Sequence, residues 1–315
     1  MGDLLTGKVA VITGAGGGIG RGMALAFAQE GAKVVVNDLG GSTRGDGAST
    51  KAADIVVDEI RQAGGEAAAN YDSVTTMEGG ENIIKTALNS FGKVDILVTC
   101  AGILRDRMLF NMSEEEWDGV YNTHLKGTFA CVKPAAILMR QQRSGHIITL
   151  TSTSGLYGNT GQCNYSAAKS GIAGLTKVIC KDLGRYGVTV NCIAPMAGTR
   201  MTLTDEYLEA LKKRKASGVT REGFAGGAPP TDISELNPDD VAPLAVFLAS
   251  DAADDVNGQV LFIGGSKISY VQPPRPIKTI YKPSNWTVDE LIQAVPGTLM
   301  DGVPNPAPPA EPVKN

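Results

Sequence analysis

Short apolar runs, rich in β-branched residues, alternate with helix-length segments from the N-terminus to about residue 265. The runs at 8–13, 33–38, 67–71, 95–99, 146–152, 189–193 and 259–263 are apolar at successive positions rather than alternate ones. Strands of that kind have both faces buried, the condition of a parallel sheet with helices packed on either side. Between them, 19–30, 49–63, 78–91, 114–142, 162–186 and 239–249 read as helices, and the fourth is long enough that a break is expected within it. The alternation predicts an α/β architecture, a doubly wound sheet of seven parallel strands. No internal repeat interrupts it.

Two segments depart from the pattern. Residues 202–237 are polar and rich in Gly and Pro around a charged stretch, Leu211-Lys212-Lys213-Arg214-Lys215, and read as an insertion that shapes a substrate site. Lys212 and its neighbours are either a solvated helix face or a contact for the phosphates of a large substrate. From 269 to 315 the chain turns proline-rich (Pro273, Pro274, Pro276, Pro283), and 303–315 has the composition of a disordered end. One short capped helix is expected at 286–291. This extension is too small for a domain and is expected to lie as an arm on the core or on a neighbouring subunit.

Composition narrows the class. With 315 residues, 43% hydrophobic and 20% charged, the chain suits a globular protein with one sizeable core. A formal net charge of −4 gives no electrostatic reason for nucleic acid or an anionic membrane as partner. No apolar run approaches membrane-spanning length, no signal-peptide pattern opens the chain, and Val313-Lys314-Asn315 is not a peroxisomal tripeptide. Cys100, Cys131, Cys163, Cys180 and Cys192 lack metal-ligand spacing and read as reduced thiols, so no metal site is expected. A cytoplasmic protein without membrane insertion is the expectation.

The chemistry begins where the first strand runs into Gly14-Ala15-Gly16-Gly17-Gly18-Ile19-Gly20, with a helix after it. Glycines there permit a tight turn and close backbone approach, and the helix N-terminus offers amides to a diphosphate. Asp38 closes the second strand, where a carboxylate accepts from both ribose hydroxyls of an adenosine and repels a 2′-phosphate. Neither Gly17 nor Leu39 is basic, which favours NAD; Arg21 and Arg44 leave NADP open. Asp72 and Ser73, after the third strand, line an adenine pocket or form a plain turn. Ala101 and Gly102 let backbone approach the cofactor. Further on, Tyr165 and Lys169 lie one helical turn apart, so that the ammonium is expected to lower the phenol's pKa. Ser152, thirteen residues before the tyrosine, ends a buried strand and offers a hydroxyl to the same substrate oxygen. Alone, Tyr-x-x-x-Lys also describes a solvated pair; the glycine loop gives it a cofactor.

Taken in order, Thr13-Gly14-x-x-x-Gly18-Ile19-Gly20, Asp72, Ala101-Gly102, Ser152, Tyr165-x-x-x-Lys169 and Ile193-Ala194-Pro195 resemble the short-chain dehydrogenase/reductase family over about residues 5–268. The resemblance implies a Rossmann-type single domain spanning 1–268 and a Ser–Tyr–Lys mechanism. In it Tyr165 is the general acid/base, Lys169 lowers its pKa and binds the nicotinamide ribose, and Ser152 holds the substrate oxygen. Ile19 and the glycines, with Pro195, Gly198 and Thr199, would contact the cofactor. The family's active-site asparagine falls seven residues after a helix tryptophan; counting from Trp117 puts His124 there. In place of Asn-Asn-Ala-Gly stands Thr99-Cys100-Ala101-Gly102.

A narrower similarity, carried by Asn37-Asp38-Leu39-Gly40-Gly41, Ile103-Leu104-Arg105-Asp106-Arg107, His124-Leu125-x-Gly127, Tyr157-Gly158-Asn159-x-Gly161-Gln162 and Gly198-x-Arg200-Met201-Thr202, is to the (3R)-hydroxyacyl-CoA dehydrogenase module of multifunctional β-oxidation enzymes. That group carries histidine at the asparagine position and a similar insertion after Asp38. It implies NAD-dependent oxidation of a 3-hydroxyacyl-CoA or related thioester, by a homodimer or homotetramer joined through the long helices after strands four and five. The alternatives are a hydroxysteroid dehydrogenase, a 3-oxoacyl reductase, and a non-catalytic subunit of a heteromeric dehydrogenase.

Overall fold

The computed structural model describes residues 2–203, 208–209 and 232–307. The charged stretch 211–215, most of 202–237 and the end of the expected disordered tail lie outside the described residues. Seven parallel strands form where the apolar runs predicted them: β1 (Val9–Thr13), β2 (Lys33–Asn37), β3 (Ala67–Asn70), β4 (Ile96–Thr99), β5 (Gly145–Leu150), β6 (Val188–Pro195) and β7 (Val260–Gly264). An eighth, β8 (Lys267–Val271), pairs antiparallel with β7, giving the order β3-β2-β1-β4-β5-β6-β7-β8. The order reverses between β1 and β4, which opens a crevice at the carboxyl ends of those two strands.

The extra strand was not expected, because the chain from 269 reads as the start of a proline-rich arm. Gly265, at φ +55, supplies the positive φ that a two-residue hairpin loop requires. Once turned, β8 alternates exposed Ile268 and Tyr270 with half-buried neighbours, the habit of an edge strand.

Side chains on the parallel strands divide between two faces. Ala10, Ile12, Val34, Val36, Ile96 and Val98 pack beneath α1 (Gly18–Gln29), α2 (Lys51–Gln62) and the later helix Ala242–Ala249. Val9, Val11, Val35, Leu97 and Ile147 pack beneath α3 (Met77–Phe91) and its neighbours on the opposite face. The expected break in the long helix takes a specific form. α4 (Glu114–Tyr121), started by a Ser113/Glu116 capping box, passes through a π-helical turn at Asn122–Lys126 into α5 (Gly127–Gln142). One widened turn re-aims the side chains within it, and the buried one is His124. α6 (Thr153–Tyr157) is a single short turn, and α7 (Cys163–Leu183) carries Tyr165 and Lys169. Ala242–Ala249 is α8, nearly all of it apolar and buried.

By internal contacts the chain divides into Met1–Val271 and Gln272–Asn315. Within the second unit, α9 (Val288–Gly297) starts from a Thr287/Glu290 capping box, two residues later than predicted and longer. Lys282 pairs with Glu290 at 2.5 Å and lies over the Trp286 ring. Among the described residues, no helix is long and apolar enough to cross a membrane.

Candidate active site

The glycine loop follows from close packing. A Cβ on Gly14, whose φ is +66, would stand 2.6 Å from the Ala101 Cα, and one on Gly20 would stand 2.2 Å from the Gly14 carbonyl oxygen. Only glycine lets α1 settle on the loop and the loop on the turn after β4. That turn is fixed in place by Thr13, whose Oγ1 accepts from the amides of Cys100 and Ala101 at 3.1 and 3.2 Å. At the head of α1, Gly17 provides no side-chain cap and the first turn holds no acidic residue. The amides there are left for an anion. Beside them the Asp38 carboxylate accepts from Gly16 N at 2.8 Å and Gly40 N at 2.7 Å. Asp72 accepts from Asn70 and Asn82, while Ser73 shares a hydrogen bond with Thr75. These residues fit a dinucleotide: a diphosphate cradle, a carboxylate at the ribose end of β2 and a polar pocket after β3.

The other end of the same cleft holds the reactive side chains. Lys169 Nζ is 5.6 Å from the Tyr165 ring centroid and donates to Leu150 O at 2.7 Å. Ser152, at the end of β5, caps α6 by accepting from Ser154 N at 3.2 Å. His124 meets the Tyr165 ring edge-on, with centroids 5.1 Å apart and planes at 87°. Its Nε2 accepts from Ile103 N at 3.0 Å and lies 2.8 Å from Ile103 O, while Nδ1 is buried without a partner. A Cβ on Gly102 would fall 2.3 Å from His124 Cε1, so the glycine makes room for the histidine. Asn164 anchors the start of α7 by donating to Arg105 O and Glu116 O, both at 3.0 Å.

Burial dominates the electrostatics. It pushes the Tyr165 phenol up to about 12, against the opposing influence of the Ser152 hydroxyl. It drops Lys169 to about 8 and His124 to about 3, the latter helped by repulsion from Lys169. The expectation that the lysine would lower the tyrosine's pKa is therefore not met, because burial raises it. Both groups line one cleft, Lys169 buried and Tyr165 half-buried, and desolvation of the phenolate outweighs an ammonium that is itself disfavoured. Burial raises the thiol of Cys100, in the same cleft, to about 11.

Every predicted site residue lines this cleft except Gly198. Its amide donates to Leu236 O, and a Cβ there would meet Ile233 O at 2.6 Å, so it serves packing behind the wall. The cleft's volume, about 1410 Å³, exceeds the roughly 300–1,000 Å³ of pockets for one small ligand. It has room for a cofactor and a substrate together. Residues that carried the narrower similarity but were given no site role also line it. Gln162 Nε2 donates to Asp106 Oδ2 at 2.7 Å, and its Oε1 accepts from Ser154 Oγ at 2.8 Å. Gln162 stands three residues before Tyr165, a helical spacing that was legible; Asp106 had no local signal. At the amino end of β5, His146, Asp251 and Asp254 could hold a cation by distance, but Lys8 Nζ already meets Asp251 at 2.5 Å.

The depressed His124 has a consequence for acid stability. Between pH about 6.5 and about 3 the unfolded chain protonates this histidine and the native protein does not, so stability falls as pH falls through that window. In His124→Asn the loss of stability between pH 7 and pH 4, measured by urea unfolding, should be smaller than in wild type. Identical pH dependence would mean that the imidazole is not held neutral.

A family model of short chain dehydrogenases matches residues 8–209. Peroxisomal multifunctional enzyme type 2 of Drosophila melanogaster is 48% identical over 255 residues, covering 81% of this chain but only 38% of that enzyme. The chain thus spans well under half of that multifunctional relative. The hydroxyacyl-CoA dehydrogenase ChsB1 of Mycobacterium tuberculosis is 41% identical over 282 residues, 86% of this chain and 81% of its own length. A short chain dehydrogenase crystal structure from Mycobacterium avium superposes with a TM-score of 0.78 at 41% identity, covering 98% of this chain and 99% of its own. With a parallel sheet reversing at β1/β4, a glycine loop on α1 and these matches across most of its length, the chain belongs to the short-chain dehydrogenase/reductase family of oxidoreductases.

Proposed function

We propose that the chain oxidises the secondary alcohol of a 3-hydroxyacyl-CoA, or a related hydroxylated thioester, to the ketone with NAD. The observation that carries this reading is one cleft with a diphosphate cradle and Asp38 at one end and Ser152, Tyr165, Lys169 and His124 converging at the other. The substrate class rests on relatives named as a hydroxyacyl-CoA dehydrogenase and a peroxisomal multifunctional enzyme. A bound oxidised nicotinamide supplies the hydride acceptor and a positive charge that favours the phenolate.

Tyr165 Oη removes the substrate's hydroxyl proton as the carbinol hydride leaves. Ser152 Oγ donates to the substrate oxygen as it becomes a carbonyl. Lys169, with its pKa brought to about 8, carries a proton that is easily exchanged at working pH and steadies the phenolate. His124 stays neutral, sets the Tyr165 ring edge-on and turns an unpartnered Nδ1 into the pocket's proton traffic. The second reading is the reverse use of this site, 3-oxoacyl reduction, supported by a relative named as a 3-oxoacyl-[acyl-carrier-protein] reductase, with the acid then the Tyr165 phenol. Its proton is then the one delivered to the new alcohol.

Exposed Tyr121, Phe129 and Val178 on α4, α5 and α7 leave an apolar outer face, and association of identical chains through it belongs to this reading. Sedimentation equilibrium at micromolar concentration should give a dimer or tetramer; a monomer would remove that part.

Tyr165→Phe should lower turnover of 3-hydroxyacyl-CoA by about 10²–10⁴-fold while leaving NADH binding intact, followed by absorbance of NADH and by its fluorescence titration. Retained turnover would sink the assignment, and a flat trace for wild type with hydroxyacyl-CoAs and hydroxysteroids alike would favour a non-catalytic role. For the cofactor, Asp38→Ala removes the charge that opposes a 2′-phosphate. The ratio of NADP to NAD use should rise by about tenfold or more, one decade per ~1.4 kcal/mol of relieved repulsion. An unchanged ratio would remove Asp38 as the discriminator.

A further inference from the structure

Among the cations that line the cleft, Arg200 is one whose placement the reaction above does not use. It lies in the turn after β6, which is built from its own hydrogen bonds: Thr199 N donates to Thr202 Oγ1 at 2.8 Å, Leu203 N to Thr199 O at 2.9 Å, and Met201 N to Thr199 Oγ1 at 3.2 Å. Thr202 Oγ1 in turn donates to Ala197 O at 2.9 Å, tying the turn to the end of the strand segment. The turn rests on the glycine loop. A Cβ built on Gly17 would be 3.1 Å from Arg200 Nη2, and one on Gly18 would be 3.6 Å from the Thr199 methyl.

This guanidinium therefore lies against the N-cap of α1, at the positive end of the helix. A cation is repelled there unless an anion joins it. Among the described residues no carboxylate answers it: the first turn of α1 holds none, Arg21 of α1 pairs with Glu59 at 2.7 Å, and Arg200 makes no ion pair with a described residue. The side chain is exposed and lines the cleft. Fold, loop and turn together form a two-sided socket, amides on one side and a planar five-donor fork on the other, matched to a group carrying negative oxygens in both directions.

We propose that Arg200 is a ligand of the cofactor's diphosphate, closing on it from the side opposite the glycine loop. This rests on the dinucleotide reading of the cleft. It adds a charged ligand to the segment after β6, where Pro195, Gly198 and Thr199 were expected to touch the cofactor. The rival source of the same chemistry is the 2′-phosphate of NADP, since Gly16 beside this contact also approaches the Asp38 carboxylate, with Oδ2 2.8 Å from its Cβ position.

The test is titration calorimetry of wild type, Arg200→Gln and Arg200→Lys with NADH, NADPH and ADP, and competition of adenosine against NADH fluorescence. Arg200→Gln should weaken NADH and ADP each by about ten- to a hundredfold, the range of lost charge-assisted bonds, and leave adenosine unchanged. Arg200→Lys should recover part of the loss. Thermal melting matching wild type confirms that the exposed substitution leaves the fold intact. A loss confined to NADPH would assign Arg200 to a 2′-phosphate and overturn the proposal. Equal losses with adenosine would make the role structural and also overturn it. Wild type that binds NADH beside an unchanged Arg200→Gln overturns Arg200 alone; wild type that binds neither dinucleotide overturns the reading of the cleft itself.

Discussion

Tyr165, Lys169 and His124 meet in one cleft, and burial moves each of them away from its charged form: the phenol up to about 12, the ammonium down to about 8, the imidazole down to about 3. In water the Lys169 charge would simply favour the Tyr165 phenolate. In the pocket neither group ionises freely, so proton transfer waits for whatever brings a compensating charge. The rest of the site is built to hold that condition. Lys169 is tied to the Leu150 carbonyl, His124 is wedged against Gly102 and Ile103, and α7 is pinned at its start by Asn164.

What places these groups in one pocket is the reversal of strand order between β1 and β4. Parallel strands end together, and at the reversal the loops diverge to opposite faces, leaving a crevice between them. The glycine loop enters from one side and Ala101–Gly102 from the other, in contact through Gly14. The π-helical turn between α4 and α5 then delivers His124 to the place that a regular helix would have missed by a residue. Cofactor cradle and proton-handling end are thus two parts of a single packing solution. The proposed clamp by Arg200 extends it, because the turn after β6 descends on the same glycine loop.

The site's most local features were legible in the residues. Glycines with a fixed strand before them and a helix after them, a tyrosine and lysine one turn apart, and a serine at a strand end all declare themselves by spacing, since period and turn chemistry act over a few positions. The seven parallel strands were readable for the same reason: burial on both faces leaves an uninterrupted apolar run. Less legible was β8, whose one-sided pattern is short and runs into prolines. Gly198 does not line the cleft, since a glycine in a motif can serve packing, here against Ile233 and Leu236, as well as a ligand.

The sequence by itself determined the order of strands and helices, the glycine loop, Asp38 and the Ser152, Tyr165 and Lys169 set. Each of these follows from interactions between near neighbours in the chain or from periodic burial. Only the tertiary structure decided the protonation balance of the pocket, the Gln162–Asp106 rim, the π-turn's presentation of His124 and the resting place of Arg200 on Gly17. Those depend on residues tens to more than a hundred positions apart meeting in space, and desolvation is a property of the assembled surroundings, not of any segment.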